Sequence, residues 1–439
     1  MKTMNVGLIG IGTVGGGTWE VLRRNAEEIT RRAGAPIKIT MVACRNVERA
    51  QKIVGGAAEV VSDPFEIIKR PEIDIVVELI GGYTTAKDIV LKAIEAGKRV
   101  VTANKALLAV HGAEIFAAAQ KKGVMVAFEA AVAGGIPIIK ALREGLTANR
   151  IEWVAGIING TTNFILSEMR DKGLSFAEVL KEAQRLGYAE ADPTFDIEGV
   201  DAAHKATLIA AIAFGIPVQF DKAYIEGITK LEAADIQYAE QLGYRIKLLG
   251  IAKRRTDGTG GIELRVHPTL IPAKRLIANV EGAMNAVLVK ADAVGATLYY
   301  GKGAGAEPTA SAVIADLVDV ARLYDVSDSA RVPHLAFQPD ALSNLPILPM
   351  GEVLTGNYLR LRVKDQAGAM AEIATILAKH GISIDALLQK EPMEGEGEVD
   401  LIILTHVGKE SSMTAAISEL EKLPANNGKV KRIRREELQ

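Results

Sequence analysis

Residues 4–15 read MNVGLIGIGTVG, a short apolar strand running into the glycine turn Gly10-Ile11-Gly12-Thr13-Val14-Gly15. A segment with helical character follows at once, from Val14 to about Arg32. A GxGxxG turn is informative in this setting, between a strand and a helix. Its first glycine permits the tight turn, its second lets the backbone approach a pyrophosphate, and its third lets the helix pack closely on the strand. A diphosphate placed there meets a helix N-terminus, whose free N–H groups and dipole favour an anion. The stretch therefore predicts a dinucleotide-binding α/β unit. A glycine turn without a ligand is the plainer reading of the same residues.

Downstream, strands and helices alternate as that fold requires. The second strand, IKITMVACRN (37–46), ends without the carboxylate that would hold the ribose 2′-hydroxyl of NAD. Arg45 stands there instead and suits a 2′-phosphate, which favours NADP over NAD, although a solvated loop arginine fits equally. IDIVVELIGG (73–82) reads as a strand and TTAKDIVLKAIEAG (84–97) as an amphipathic helix. RVVTANKALL (99–108) reads as a strand whose end carries Asn104 and Lys105, where ligands of an open parallel sheet bind. In VMVAFEAAVAGGIPIIK (124–140), Glu129 lies among small and apolar residues before Gly134-Gly135. Burying that carboxylate is costly unless it is paired or bound to a cation; a solvated element end is the alternative.

The densest run of polar chemistry is GYAEADPTFDIEGVDAAHK (187–205). Asp192-Pro193 marks a turn, since the residue before proline is pushed out of the helical region. A helix is expected from near Gly199 to Phe214, stopped by Gly215 and Pro217. On it Asp201, Lys205, Leu208 and Ile212 form one stripe, so the ion pair continues an apolar face and points inward. An ordinary surface i,i+4 pair, worth about 0.3–0.5 kcal/mol, is the competing account.

Around this stretch, IEWVAGI (151–157) reads as a strand, and Asn159-Gly160-Thr161-Thr162 as a polar loop whose hydroxyls cap the next helix. KLLGIAKR, IELRVHPTLI, MNAVLVKAD and ATLYYGKG, between 247 and 303, suggest a mixed or antiparallel sheet. The glycine-rich run 301–305 leads into a long helix. After a proline-rich stretch (333–356), the segments YLRLRVKD, AMAEIATILAKHG, ISIDALLQK, EVDLIILTHV, MTAAISELEKL and VKRIRREE read as βαββαβ, a ferredoxin-like unit.

Composition bounds the rest. The chain has 439 residues, 49% hydrophobic and 24% charged, with a net charge of −2 and one cysteine, Cys44. That is room for two or three domains, without a disulfide framework or a cysteine-rich zinc site. The charge balance gives no reason to expect nucleic acid or an anionic membrane surface. No run of about 18 apolar residues exists, and glycines break the N-terminus too early for a signal peptide, so a cytoplasmic location is expected.

Taken in order, GIGTVGGG, TANKALLA, FEAAVAGGIPII, GIINGTTNFIL, LGYAEADPTFDIEGVDAAHKATLIA and GKGAGAEPTASAV resemble homoserine dehydrogenases over essentially the whole chain. The C-terminal unit, with VKDQAGAMAEIATILAKHGISI, is similar to ACT domains, which bind small effectors such as amino acids. The resemblance implies an α/β protein in three parts: a Rossmann-type domain over 1–135 completed by a helix at about 306–330, an α+β substrate and dimerisation domain over 136–305, and, beyond a linker (333–355), an ACT domain over 356–439. It implies NAD(P)-dependent interconversion of L-homoserine and L-aspartate 4-semialdehyde, toward threonine and methionine. Lys205 matches the family's proton donor and acceptor, and Lys105 a second lysine near the reacting oxygen and nicotinamide. Gly187, Glu190 and Asp201 match homoserine-holding positions. Gly10, Gly12, Thr13, Val14, Gly15, Arg45, Lys105 and Gly303 match the cofactor site. Glu129, with the carbonyls of Val132, Gly134 and Ile136, matches a monovalent cation site, usually sodium. A homodimer or homotetramer is expected, with feedback by an amino acid, most plausibly threonine, near the turn 365–368.

Two other readings compete. Aspartate-semialdehyde dehydrogenase needs a nucleophilic cysteine, and Cys44 lies at the end of strand two, away from the catalytic stretch. A non-catalytic amino-acid sensor on a dehydrogenase scaffold has no need of both lysines and both acids.

Overall fold

The short apolar runs of the N-terminal third become the parallel strands of one sheet. The computed structural model describes residues 2–439 apart from 257, 259 and 390–396. β1 (Met4–Ile9), β2 (Ile37–Ala43), β3 (Glu59–Val61), β4 (Ile75–Glu78), β5 (Arg99–Thr102) and β6 (Val126–Ala127) stand in the order β3-β2-β1-β4-β5-β6. All neighbours are parallel. β1 and β4 are buried along nearly their whole length, which is why they read as continuous apolar runs. The chain turns outward through β2 and β3, then returns to β4. The crevice beyond the carboxyl ends of β1 and β4 is therefore the switch point where such sheets bind ligands.

Three boundaries differ from expectation. The helix read from Val14 to Arg32 is two helices, α1 (Thr13–Arg24) and Ala26–Ala33, parted at Asn25, whose backbone leaves the helical region. Strand two stops at Ala43; Asn46 then accepts from Arg49 N and caps a further helix. The strand RVVTANKALL ends at Thr102, and Asn104 caps helix α2 (Lys105–Lys122). Lys105 is thus the first residue of a helix.

The second sheet carries the central unit. β7 (Ile151–Ile157), β8 (Tyr224–Ile225), β9 (Tyr244–Arg254), β10 (Ile262–Pro272), β11 (Met284–Ala291) and β12 (Gly295–Lys302) belong to it, with β12-β11-β7-β9-β10 antiparallel throughout. α3 (Gly160–Lys172) and α4 (Val200–Phe214) pack against this sheet, and α4 also touches α2 of the first unit. Leu208 and Ile212 are buried, and each contributes about 1.5–3 kcal/mol by leaving water. α5 (Ala306–Arg322) returns to lie along α1.

The C-terminal unit has the expected βαββαβ order with one short strand, β16, added: β13 (Leu354–Lys364), α6 (Ala369–Lys379), β14 (Ile384–Gln389), β15 (Glu398–Thr405), β16 (Gly408–Lys409), α7 (Glu410–Leu420) and β17 (Lys431–Arg435). Lys390, the last residue of the strand ISIDALLQK, lies outside the described residues. β17 is shared between units. It pairs antiparallel with β13 and parallel with β10, through Thr269↔Arg434 and Leu270↔Arg435, so the two sheets are one. The proline-rich stretch before β13 is strapped to the central unit. Ser343 N donates to Gly215 O at 2.6 Å, and Ile347 bridges Ile262 in parallel.

Candidate active site

α4 carries the central pair as its sequence requires. Gly199, at φ 84°, turns the chain into the helix, and Gly215 ends it. Asp201 and Lys205 then stand one turn apart, with Lys205 Nζ 2.6 Å from Asp201 Oδ2. Both are largely withdrawn from solvent, with side chains 10% and 12% exposed, so the surface-pair account fails. Lys205 Nζ also donates to Ile158 O at 2.8 Å.

Lys105 arrives from the other side. Asn104 Nδ2 donates to Gly82 O at 2.6 Å while its Oδ1 accepts from Leu107 N, which fixes the start of α2. Behind it, the buried Glu78 accepts from Thr102 Oγ1 and from the N–H groups of Ile80 and Gly81. The carboxyl ends of β4 and β5 are thereby tied together. Lys105 Nζ extends from this corner to 3.1 Å from Asp201 Oδ1.

Asp201 therefore faces two ammonium groups. Burial alone would raise its pKa, but Lys205 and Lys105 outweigh it and hold the carboxyl well below the usual range. Lys205 is pushed down by burial, and Lys105 adds to this against the pull of Asp201. A lysine lowered in this way is suited to exchange a proton with a reacting hydroxyl. His204, the residue before Lys205 on the helix, lies against Phe195 and Phe220 and is pushed down to about 4 by burial, with Lys105 and Lys205 adding to this against the pull of Asp201.

One residue of the site was read only as part of a capping loop. Asn159 Nδ2 donates to Asp201 Oδ2 at 2.8 Å and to Asp196 Oδ1 at 2.7 Å. Its Oδ1 accepts from Thr162 N, so the cap of α3 is the amide of Asn159 rather than a hydroxyl. Asn at an N-cap one turn before an apolar helix was the available signal. Asp196 is pushed up, by burial and then by Asp201. Gly187 and Glu190 are exposed and lie on a loop whose Tyr188 O accepts from Thr161 Oγ1 at 2.7 Å. The Glu190 side chain makes no hydrogen bond or ion pair with a described residue, so the structure brings together Asp201, Lys205 and Lys105 but not Glu190.

The glycine turn has room for a diphosphate. A Cβ on Gly15 would lie 2.1 Å from Gly10 O, and one on Gly17 2.5 Å from Ala306 O, so these positions close the backbone. A Cβ on Gly12 would meet nothing within 4 Å. No side chain caps α1, which leaves the N–H groups of its first turn available to an anion. Arg45 is exposed beyond β2 and pairs with no described residue.

Gly303 approaches the second loop. A Cβ on Gly134 would lie 2.3 Å from Gly303 O, and Gly135 N donates to Lys302 O. Ala133 and Gly134 take φ of 55° and 46°, turning the chain back toward Glu129. Glu129 is only 1% exposed, contrary to a solvated element end. Its oxygens accept from Ile139 N and Lys140 N, and its own N–H donates to Asp316 Oδ2. Burial pushes Glu129 up to about 7 and Asp316 up to about 8. Each Glu129 oxygen accepts one backbone N–H, which leaves each a second lone pair for a further partner. Among the described residues, no three His, Cys, Asp or Glu form a multi-carboxylate or thiolate metal cluster. No helix among them is long and apolar enough to cross a membrane.

Known proteins resemble this chain in sequence and in fold. The family model for homoserine dehydrogenase matches residues 137–318, the one for its NAD-binding domain 10–129, and the one for ACT domains 357–425. A homoserine dehydrogenase of Pseudomonas aeruginosa is 63% identical over 438 residues, covering 100% of both chains. The crystal structure of a homoserine dehydrogenase from Thiobacillus denitrificans is 66% identical with a TM-score of 0.95, over 100% of this chain and 99% of that one. A hyperthermophilic archaeal homoserine dehydrogenase in complex with NADPH is 25% identical with a TM-score of 0.63, over 74% of this chain and 99% of that one.

Proposed function

The chain belongs to the homoserine dehydrogenase family, and from that premise we propose how its own residues carry the family's NAD(P)-dependent oxidation of L-homoserine. The observation that carries the proposal is the Lys105–Asp201–Lys205 cluster at the meeting of the two units. Lys205 is the proton acceptor. In its neutral form it takes the hydroxyl proton of homoserine as the C4–H bond gives up its hydride, leaving a carbonyl; in reverse, its ammonium protonates the forming alkoxide. When bound, the nicotinamide supplies the hydride chemistry. Lys105 orients the oxygen and, through its charge, favours the neutral form of Lys205. Asp201 meets the substrate ammonium, with Glu190 and the backbone at Gly187 beside it on the loop held by Thr161.

Gly10, Gly12, Thr13, Val14 and Gly15 hold the diphosphate, Gly303 covers it, and Arg45 selects the 2′-phosphate of NADP. The NADPH complex of the archaeal relative supports that preference. Glu129 with the carbonyls of Val132, Gly134 and Ile136 holds a monovalent cation, sodium in our reading, which stabilises the turn that supports Gly303. The three parts act as a cofactor domain (1–135 with 306–330), a substrate domain (136–305) and an ACT domain (356–439) that senses threonine near its 365–368 turn. We expect a homodimer or homotetramer in the cytoplasm. β12 has no strand on its outer side among the described residues, which offers an edge for assembly.

The test is turnover of homoserine with NADP and NAD in the wild type and in Lys205→Ala, with cofactor affinity measured in both. Loss of rate with cofactor binding retained supports the assignment. Full activity in Lys205→Ala overturns it and moves the acid–base role to Lys105.

A further inference from the structure

Where β17 enters the central sheet it leaves a polar cavity of about 370 Å3 between the C-terminal unit and the segment that leads to the catalytic helix. One wall is Arg432 and Arg434 on β17; the other is Glu198, Glu226, Thr229 and Lys230. Arg434 is held by Glu410 behind it and reaches across to Glu226 and Tyr224 on the other side, while Arg432 is bonded to Glu410, Asn357 and Thr414.

Valence remains on the cavity side. Lys230 is exposed and makes no ion pair with a described residue. Glu198 accepts only from Thr229 Oγ1, on one oxygen, and the bonds to Glu226 from Tyr224 and Arg434 all fall on Oε2. Donors of positive charge, on Lys230 and Arg432, and acceptors of negative charge, on Glu198 and Glu226, thus line one space of small-molecule size. We propose that this cavity binds a zwitterion of amino-acid size, its carboxylate on Lys230 and the outer N–H groups of Arg432, its ammonium between Glu198 and Glu226.

Such a ligand would touch the catalytic stretch directly. Glu198 lies between Asp196 and Asp201, and Ile228 N donates to Ile197 O at 2.8 Å. A Cβ on Gly227 would lie 2.3 Å from Ile197 O, so the cavity wall packs backbone to backbone against the segment entering α4. Occupancy then biases the position of Asp201 and ties it to β17. This site is separate from the ACT turn at 365–368, and its effect on rate rests on the catalytic role given above to Asp201 and Lys205.

The experiment uses the full chain in wild-type, Lys230→Ala, Glu198→Gln and Gln366→Ala forms. Binding of L-threonine, L-isoleucine, L-methionine and glycine is titrated by calorimetry, and homoserine turnover is followed with the same four. The expected result is that at least one binds, that its dissociation constant rises tenfold or more in Lys230→Ala and in Glu198→Gln, and that Lys230→Ala keeps its ligand-free rate within twofold. Affinity unchanged in both cavity variants, or lost only in Gln366→Ala, overturns the proposal, as does no binding by any of the four at millimolar concentration. Calorimetry reads the cavity even if homoserine is not turned over, so failure of the catalytic assignment is told apart from failure of this one.

Discussion

Lys105 crosses from the dinucleotide-binding unit to stand 3.1 Å from Asp201 of the central unit. The two units therefore meet at a carboxylate shared by two lysines, and in the proposed site the substrate ammonium competes with both for it. Exchange of one of those contacts for the substrate would place homoserine without opening the helix that holds Asp201.

If Lys205 is the acid–base group, as proposed, its loss should be read in kcat. Lys205→Ala is expected to lower kcat by roughly 10²–10⁴-fold, with cofactor affinity within a few-fold of wild type. Stopped-flow reduction of NADP with saturating homoserine measures it.

Asp201→Asn removes the charge that holds Lys205 upward against burial and Lys105. The lysine then loses its proton at lower pH. Because homoserine oxidation needs the neutral amine, the rising limb of kcat/KM against pH should shift toward acid, while KM for homoserine increases. An unmoved limb would mean that Lys205 is not the titrating group.

Glu129 and Asp316 give a pH dependence of stability with the opposite sign to a paired surface acid. Their carboxyl groups sit at about 7 and about 8 in the fold, against ordinary values of 4.5 and 3.8. The folded state thus binds protons that the unfolded state releases, and stability falls as pH rises from near 4 through 8. The cation proposed at Glu129 would offset this loss when bound. Sodium chloride should therefore raise Tm more at pH 8 than at pH 6, relative to tetramethylammonium chloride, and Glu129→Gln should abolish the difference. Equal effects of the two salts at both pH values would remove the cation from the site.

Arg45→Ala should raise KM for NADP by roughly tenfold while leaving NAD nearly unchanged, as expected for loss of about 1.5 kcal/mol from a charge-assisted bond. Steady-state kinetics with both cofactors decides it; a parallel rise for both would make Arg45 a general surface charge.

Asn159→Ala removes a helix cap and the amide between two carboxylates. A destabilisation of about 1–2 kcal/mol is expected from the cap alone, read by urea unfolding, with a drop in kcat on top of it. Stability lost with kinetics intact would confine Asn159 to capping.

The site was legible where chemistry and local period coincide. Asp201 and Lys205 could be placed inward because their stripe continues through Leu208 and Ile212, and the glycine turn because a strand precedes it. Lys105 was assigned to the right corner on the wrong element: VVT and ALL share one apolar texture, and only the N-cap Asn104 marks where the strand gives way to helix. Asn159 escaped because its partners lie 37 and 42 residues away. The joining of the sheets was hidden for the same reason. KRIRR has no pattern that names β10 as a neighbour, and β10 itself alternates in polarity from Ile262 to His267 but not in exposure, since Glu263, Arg265 and His267 are all buried.

The placement of β17 also sets an order of events during synthesis. Both strands it joins are made before it, β10 by residue 272 and β13 by residue 364, and each presents a bare row of N–H and C=O groups until 431–435 arrive. A nascent chain therefore carries one unzipped seam after residue 272 and two after residue 364, each open to pairing with a neighbour on the same polysome until 431–435 emerge. A chain whose translation stops before residue 431 is expected to be recovered with chaperones or in aggregates, whereas the complete chain closes both seams with a single short strand.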